Sequence, residues 1–160
     1  MPKIDLASTP VMAGTGYPPP YHLQCIGRER QALGDAAGLN QFGVNLMRLP
    51  PDQWSSQRHW HMAEDEFVWV LEGEVVLVED GTETILRAGE CAGFPAGAPN
   101  GHHLQNRSGR DALLLEVGGR RPEADVCTYP DVDIHLPLGG EEYETKAGVP
   151  YGPIVRRTEP

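Results

Sequence analysis

Two histidines one residue apart, His59 and His61, open the stretch QRHWHMAEDEFVWVLEG, and Glu66 follows five positions after the second. In an extended chain, residues two apart share a face, so both imidazoles can converge on one ion while Trp60 points away. Glu66 begins the next apolar run, in which Val68 and Val70 lie on its side. If that side is the interior, a carboxylate oxygen arrives beside the two imidazoles. A fourth ligand has to come from a neighbouring strand. GHHLQN offers His102 and His103, whose side chains point to opposite faces, so only one of them reaches the centre. Imidazole with carboxylate suits Mn, Fe, Co, Ni or Zn, whereas Ca or Mg would favour an all-oxygen shell.

The competing explanation is chance. With six histidines in 160 residues, an HxH arises at random in roughly one chain in five. Requiring Glu66 and Gly73 at their offsets lowers this to roughly a few in a thousand. The metal reading is therefore preferred over a surface pair.

Short strands must carry these residues. NQFGVNLMRL alternates with period two, Phe42, Val44 and Leu46 against Gly43, Asn45 and Met47. EFVWVLEG and EVVLVED are β-branched or aromatic and meet at Gly73, and Asp80–Gly81 is a hairpin signal. TETILRAGE, CAGFPAG, HHLQNRSGRDALLLEVG and ADVCTYPDVDIHLPL continue the pattern. Roughly eight strands with turns every six to twelve residues predict an all-β barrel or two-sheet fold. Nineteen glycines and fifteen prolines fit the many turns. The expected organisation is an irregular N-terminal arm over residues 1–37, a barrel over 38–120 and a C-terminal extension over 121–160 packed outside it. RERQALGDAAG is expected to form one short helical turn. On EFVWVLEG, Phe67, Trp69 and Leu71 face outward and need a cover, from the arm or from a second subunit, which predicts a homodimer.

With 39 % apolar and 22 % charged residues, the chain has the balance of a globular domain. A net charge of −10 with only two lysines, Lys3 and Lys146, argues against a nucleic-acid partner. No apolar stretch suggests a signal peptide or a membrane span, so the expected location is cytoplasmic. Cys25, Cys91 and Cys127 are dispersed and odd in number, as expected of reduced thiols, and Cys91 is read as a small core residue.

The spacings resemble those of the cupins, small metal-binding β-barrels with the motifs G-x5-H-x-H-x3–4-E-x6-G and G-x5-P-x-G-x2-H-x3-N. His59, His61, Glu66 and Gly73 fit the first, with Gln53 in place of the initial glycine. Gly89, Pro95 and Gly97 fit the start of the second, and His102 with Asn106 fits its end. Four residues rather than two separate Gly97 from His102, so an ungapped reading puts Asn100 in the ligand position. A loop two residues longer at APNG restores both His102 and Asn106.

The resemblance implies a double-stranded β-helix, or jelly-roll barrel, and His59, His61, Glu66 and His102 as ligands of a divalent transition metal. The chain also looks like bacterial single-domain cupins carrying sugar-phosphate-isomerase or auxin-binding labels. Such a centre would act on a small oxygenated metabolite by isomerase, lyase or dioxygenase chemistry, with sugar-phosphate isomerisation first by resemblance. The alternative is a non-catalytic protein whose ion anchors a small ligand for sensing. Arg48 is a candidate for an anionic substrate at the barrel mouth, or a strand end in solvent. Asn100 could line the entrance. Asn106 could orient a ligand or satisfy a turn beside Ser108. Glu64 and Asp65 are read as exposed turn acids rather than a general base, and His103 as facing out.

Overall fold

A computed structural model describes residues 3–160, and almost all of its regular structure is antiparallel strand. The first ten strands are β1 (Val11–Ala13), β2 (Glu29–Ala32), β3 (Phe42–Leu49), β4 (Trp60–His61), β5 (Glu66–Glu72), β6 (Glu74–Glu79), β7 (Thr82–Arg87), β8 (Cys91–Phe94), β9 (His103–Gln105) and β10 (Ala112–Gly119). One sheet runs β1-β2-β3-β10-β5-β8 and a smaller one β7-β6-β9. Met47, Val68, Val70 and Leu114 of the first share a core with Val75, Leu77 and Leu104 of the second. This is the expected jelly-roll architecture.

Inward positions change character along the strands, and this places the site. Register pairs Leu49 with Ala112, Met47 with Leu114, Asn45 with Glu116 and Gly43 with Gly118. On the other side of β10, Leu114 lies opposite Val70, Glu116 opposite Val68 and Gly118 opposite Glu66. One end of the barrel is therefore packed with aliphatic side chains. The other end carries carboxylates, an amide and glycines, and it stays open.

The face shared by Phe42, Val44, Leu46 and Arg48 points away from the interior. Arg48 bonds Glu29 at 2.7 Å and Asp111 at 2.6 Å on the outer surface. Phe67, Trp69 and Leu71 also face outward, 37 %, 44 % and 40 % exposed. Cys91, directly opposite Trp69, is exposed on this face and is not the core residue expected from its strand position.

Gly73 turns the chain between β5 and β6 at φ +78°, where a Cβ would meet the Asp111 carbonyl oxygen at 2.8 Å. Only glycine avoids both penalties. The two-residue Asp80–Gly81 hairpin joins β6 to β7 as its sequence indicates.

The arm and the extension do more than lie on a finished barrel. The arm supplies β1 and β2 to the large sheet, and the expected helical turn shortens to α1 (Leu33–Ala36), because Glu29–Ala32 pairs with β3 instead. The extension forms β11 (Cys127–Thr128), β12 (His135–Leu136), β13 (Glu142–Glu144) and β14 (Pro150–Pro153), in one sheet with β4. Cys127 lies opposite His61 in that pairing. A second core of Tyr17, Cys25, Cys127, Tyr129 and Ile134 joins arm to extension. Among the described residues, no helix is long and apolar enough to cross a membrane.

Candidate metal centre

Three separate backbone segments deliver the four side chains. His59 and His102 face each other as an antiparallel bridge, with His59 N–H donating to His102 O at 3.1 Å and His102 N–H to His59 O at 2.8 Å. Their side chains thus leave the backbone on one face, and His61 joins them two residues along from His59. Glu66 opens β5 from the inward side. Its Oε2 lies 2.9 Å from His102 Nε2, 3.6 Å from His59 Nε2 and 3.7 Å from His61 Nε2. Three imidazoles and a carboxylate share one centre.

The partners of the outer nitrogens fix how the rings present themselves. His59 Nδ1 donates to the Gln57 carbonyl at 2.9 Å, and His61 Nδ1 to Asp125 Oδ2 at 2.6 Å. Neither acceptor carries a proton to give, so each ring in its neutral form aims the Nε2 lone pair inward. His102 is held differently: its ring stacks on Phe94, with centroids 3.5 Å apart and planes 2° from parallel. Its buried Nδ1 has no partner among the described residues.

Electrostatics distinguish the rings. Burial pushes His59 down to about 4, against the attraction of Glu66. Burial also disfavours charge on His61, but Cys127, Glu66 and Asp125 more than offset it and raise that ring to about 10. Burial would raise Glu66, yet the hydrogen bond from His102 and the three imidazoles hold it down to about 2. The centre keeps a carboxylate ionised and His59 neutral, while His61 and the His102 bond to Glu66 hold protons that a divalent cation would displace on binding. The donor set therefore fits a transition ion.

Two further donors were not found by sequence reasoning. Asp125 orients His61 while its Oδ1 accepts the Ala63 N–H at 2.8 Å. The Cys127 sulfur stands within 4.8 Å of a nitrogen of both His59 and His61. Both residues come from the extension, and no spacing near HWH announces them. Cys127 borders neither cavity described next, so a ligand entering the barrel meets the Glu66 side of the cluster.

A cavity of about 350 Å³ has His59, His61, Glu66 and His102 in its wall, together with Glu64. A smaller one of about 60 Å³ touches His61, Glu66, His102 and Asn100. Asn100 has its amide committed elsewhere: Oδ1 accepts the Asp80 N–H and Nδ2 donates to Glu79, both at 2.9 Å. It braces the longer APNG loop, and it is His102, not Asn100, whose side chain stands beside Glu66. Arg48 lines neither cavity, because its strand face is the outer one. Asn106 is buried and donates to Leu49 O at 2.7 Å and Arg110 O at 2.8 Å while accepting from Ser108 N–H. It stabilises the turn and is not available to a ligand. His103 is 4 % exposed, bonded to Ser56 O and set edge-on against Trp54, and does not face out as expected. Asp65 caps the Ala96 N–H, while Glu64 borders both cavities and burial raises its pKa.

His102→Ala is expected to abolish stoichiometric binding of added Mn, Ni or Zn, whereas Asn100→Ala retains it; elemental analysis after gel filtration reads the difference, and the reverse pattern would sink this ligand assignment. Asp125→Asn keeps a hydrogen-bond acceptor but loses charge, so chelator competition should show metal affinity lowered by roughly 10–100-fold. Unchanged affinity would mean that His61 needs no such partner.

Residues 45–118 match the cupin domain model. A structure from Silicibacter pomeroyi, described as a sugar phosphate isomerase from a cupin superfamily, is 44 % identical over 96 % of this chain and all of its own length, with a TM-score of 0.87. A protein of Acidithiobacillus ferrooxidans, provisionally described as a sugar phosphate isomerase, is 30 % identical with a TM-score of 0.70, over 78 % of this chain and 80 % of its own. A predicted oxalate decarboxylase from Thermotoga maritima is 25 % identical with a TM-score of 0.51, over 59 % and 81 %. The chain matches no curated protein. With its barrel, its motif residues and a full-length relative in agreement, the chain belongs to the cupin superfamily.

Proposed function

We propose that His59, His61, Glu66 and His102 hold one divalent transition ion, and that the protein is an enzyme acting on a small oxygenated metabolite, with sugar-phosphate isomerisation as the leading reaction. The observation that carries this reading is the approach of three Nε2 atoms to within 3.7 Å of Glu66 Oε2, in the wall of a cavity of about 350 Å³. Three neutral imidazoles and one carboxylate leave a divalent ion positively charged. Such an ion supplies Lewis acidity, polarising a carbonyl or lowering the pKa of bound water.

The surrounding residues provide the rest. Phe94 and His102 form a flat, stacked wall that limits water on one side. Glu64 borders both cavities and is the carboxylate placed to take a proton from one carbon and return it to the next. Isomerisation comes first because two relatives bear that description; the oxalate decarboxylase description of a third keeps lyase chemistry second.

Protein reconstituted separately with Mn, Fe, Co, Ni or Zn should be incubated with aldose and ketose phosphates, hydroxy-acids and oxalate, with and without O2. Interconversion of a sugar phosphate, lost with chelator and restored by metal, is expected. Glu64→Gln should lower kcat by roughly a hundredfold with metal content unchanged. A compound retained tightly but never transformed would reassign the protein as a metal-anchored binding protein.

The outward Phe67, Trp69 and Leu71 lie beside Leu115 and Val117 of β10 on the same sheet face. We infer that a second copy of the chain covers this apolar surface. Sedimentation should give a dimer, and Trp69→Glu should shift it to monomer; a monomeric wild type would remove the inference.

A further inference from the structure

The larger cavity has a second charged wall that metal binding does not use. Arg28, only 7 % exposed, donates from Nε to Gly14 O at 3.2 Å, from Nη2 to Thr15 Oγ1 at 3.1 Å and from Nη1 to Ser55 O. All three acceptors are neutral. Among the described residues, no carboxylate pairs with it. Arg30, two residues on and inward from β2, holds Glu116 through two bonds, Nε to Oε2 at 2.8 Å and Nη2 to Oε1 at 2.9 Å. Of the two guanidinium groups, only Arg30 has an ion-pair partner, which leaves the positive charge of Arg28 unmatched. Burying such a charge is costly unless something negative meets it. Burial and the neighbouring Arg30 both push the Arg28 pKa down, which an anion would reverse.

The wall is shaped as well as charged. Arg28 and Arg30 border the same cavity as His59, His61, Glu66 and His102. A guanidinium carries five N–H donors. The bonds above use three of those on Arg28, and neither N–H of Arg30 Nη1 bonds to a described residue. Asn45 adds an amide beside Glu116, and Gly43 and Gly118 leave the space between the walls open.

We propose that Arg28 and Arg30 form an anion subsite, so that the ligand carries a terminal carboxylate or phosphate in addition to the oxygens it offers the ion. This rests on the metal-centre reading and narrows its substrate class to small anionic metabolites with the charge at the end remote from the reacting oxygens. One unmatched positive charge matches one anionic terminus, and the paired planar forks suit its oxygens. The competing role is a strap: Arg28 ties the arm at Gly14 and Thr15 to Ser55, and would do so without any ligand.

Calorimetry on Mn-loaded protein separates the two roles. Malate should bind at least about tenfold more tightly than lactate, or 3-phosphoglycerate than glycerate. Whichever pair shows the gain identifies the terminus as carboxylate or phosphate. Arg28→Gln should bring both ratios to near one and Arg28→Lys should restore part of the gain, with circular dichroism confirming the fold. If the wild type retains its metal but shows no gain in either pair, the subsite is refuted and the metal centre stands. If the protein retains no metal, the metal reading fails, and the subsite is read by itself with inorganic phosphate on chelator-treated protein. There the melting temperature should rise at constant ionic strength in the wild type only; no rise, or an equal rise in Arg28→Gln, overturns the proposal.

Discussion

An ionised carboxylate and three imidazoles held around one point inside a barrel constrain everything near them. Ring nitrogens and a carboxylate oxygen do not gather in a buried place without positive charge between them, carried by protons on the rings or by a bound cation. The packing around Glu66 follows from that requirement. His59 and His61 are turned by acceptors on their outer nitrogens, and His102 is clamped against the flat face of Phe94. Each ring is fixed from behind by a different device, and the shared focus is what these devices have in common.

The barrel accommodates the cluster by dividing its interior. Aliphatic pairs such as Met47 with Leu114 fill one end, where close packing gives the stability of the fold. Towards the other end the same strands present Asn45, Glu116, Gly43 and Gly118, which do not close the space. Stability and access are thus properties of opposite halves of the same strands. Arm and extension complete the open half. The extension pairs with β4 and brings Asp125 to His61, while Arg28, anchored to the arm, borders the cavity from another side. Segments that look peripheral in sequence are structural parts of the centre.

Much of this was legible in the residue order. Period-two alternation marks the strands, Asp80–Gly81 and Gly73 mark turns whose backbone the structure confirms, and the HxH spacing puts two rings on one face by strand geometry alone. Outward orientation of Phe67, Trp69 and Leu71 follows from the same parity once Glu66 points in. Parity does not tell which face of an isolated strand is inside, so Arg48 could be placed at the mouth or in solvent, and its ion pairs with Glu29 and Asp111 decide for the outer surface. The reading of Cys91 failed for the same reason. His103 failed for another: it does point away from His102, but Trp54 covers that face and turns an expected surface residue into a buried one.

The sequence by itself determined the fold class, the two-residue offset of His59 and His61, and the shared face of Glu66, Val68 and Val70, because these depend on local periodicity. Tertiary structure decided the rest. The approach of His102 to His59 and Glu66 rests on a backbone bridge across 43 positions of chain. Asp125 lies 64 positions from the ring it orients, and the two arginines reach the cavity through an arm whose strands pair with each other and with β3. No local pattern encodes such meetings, since they arise only when sheets pack and distant segments are brought within hydrogen-bonding range.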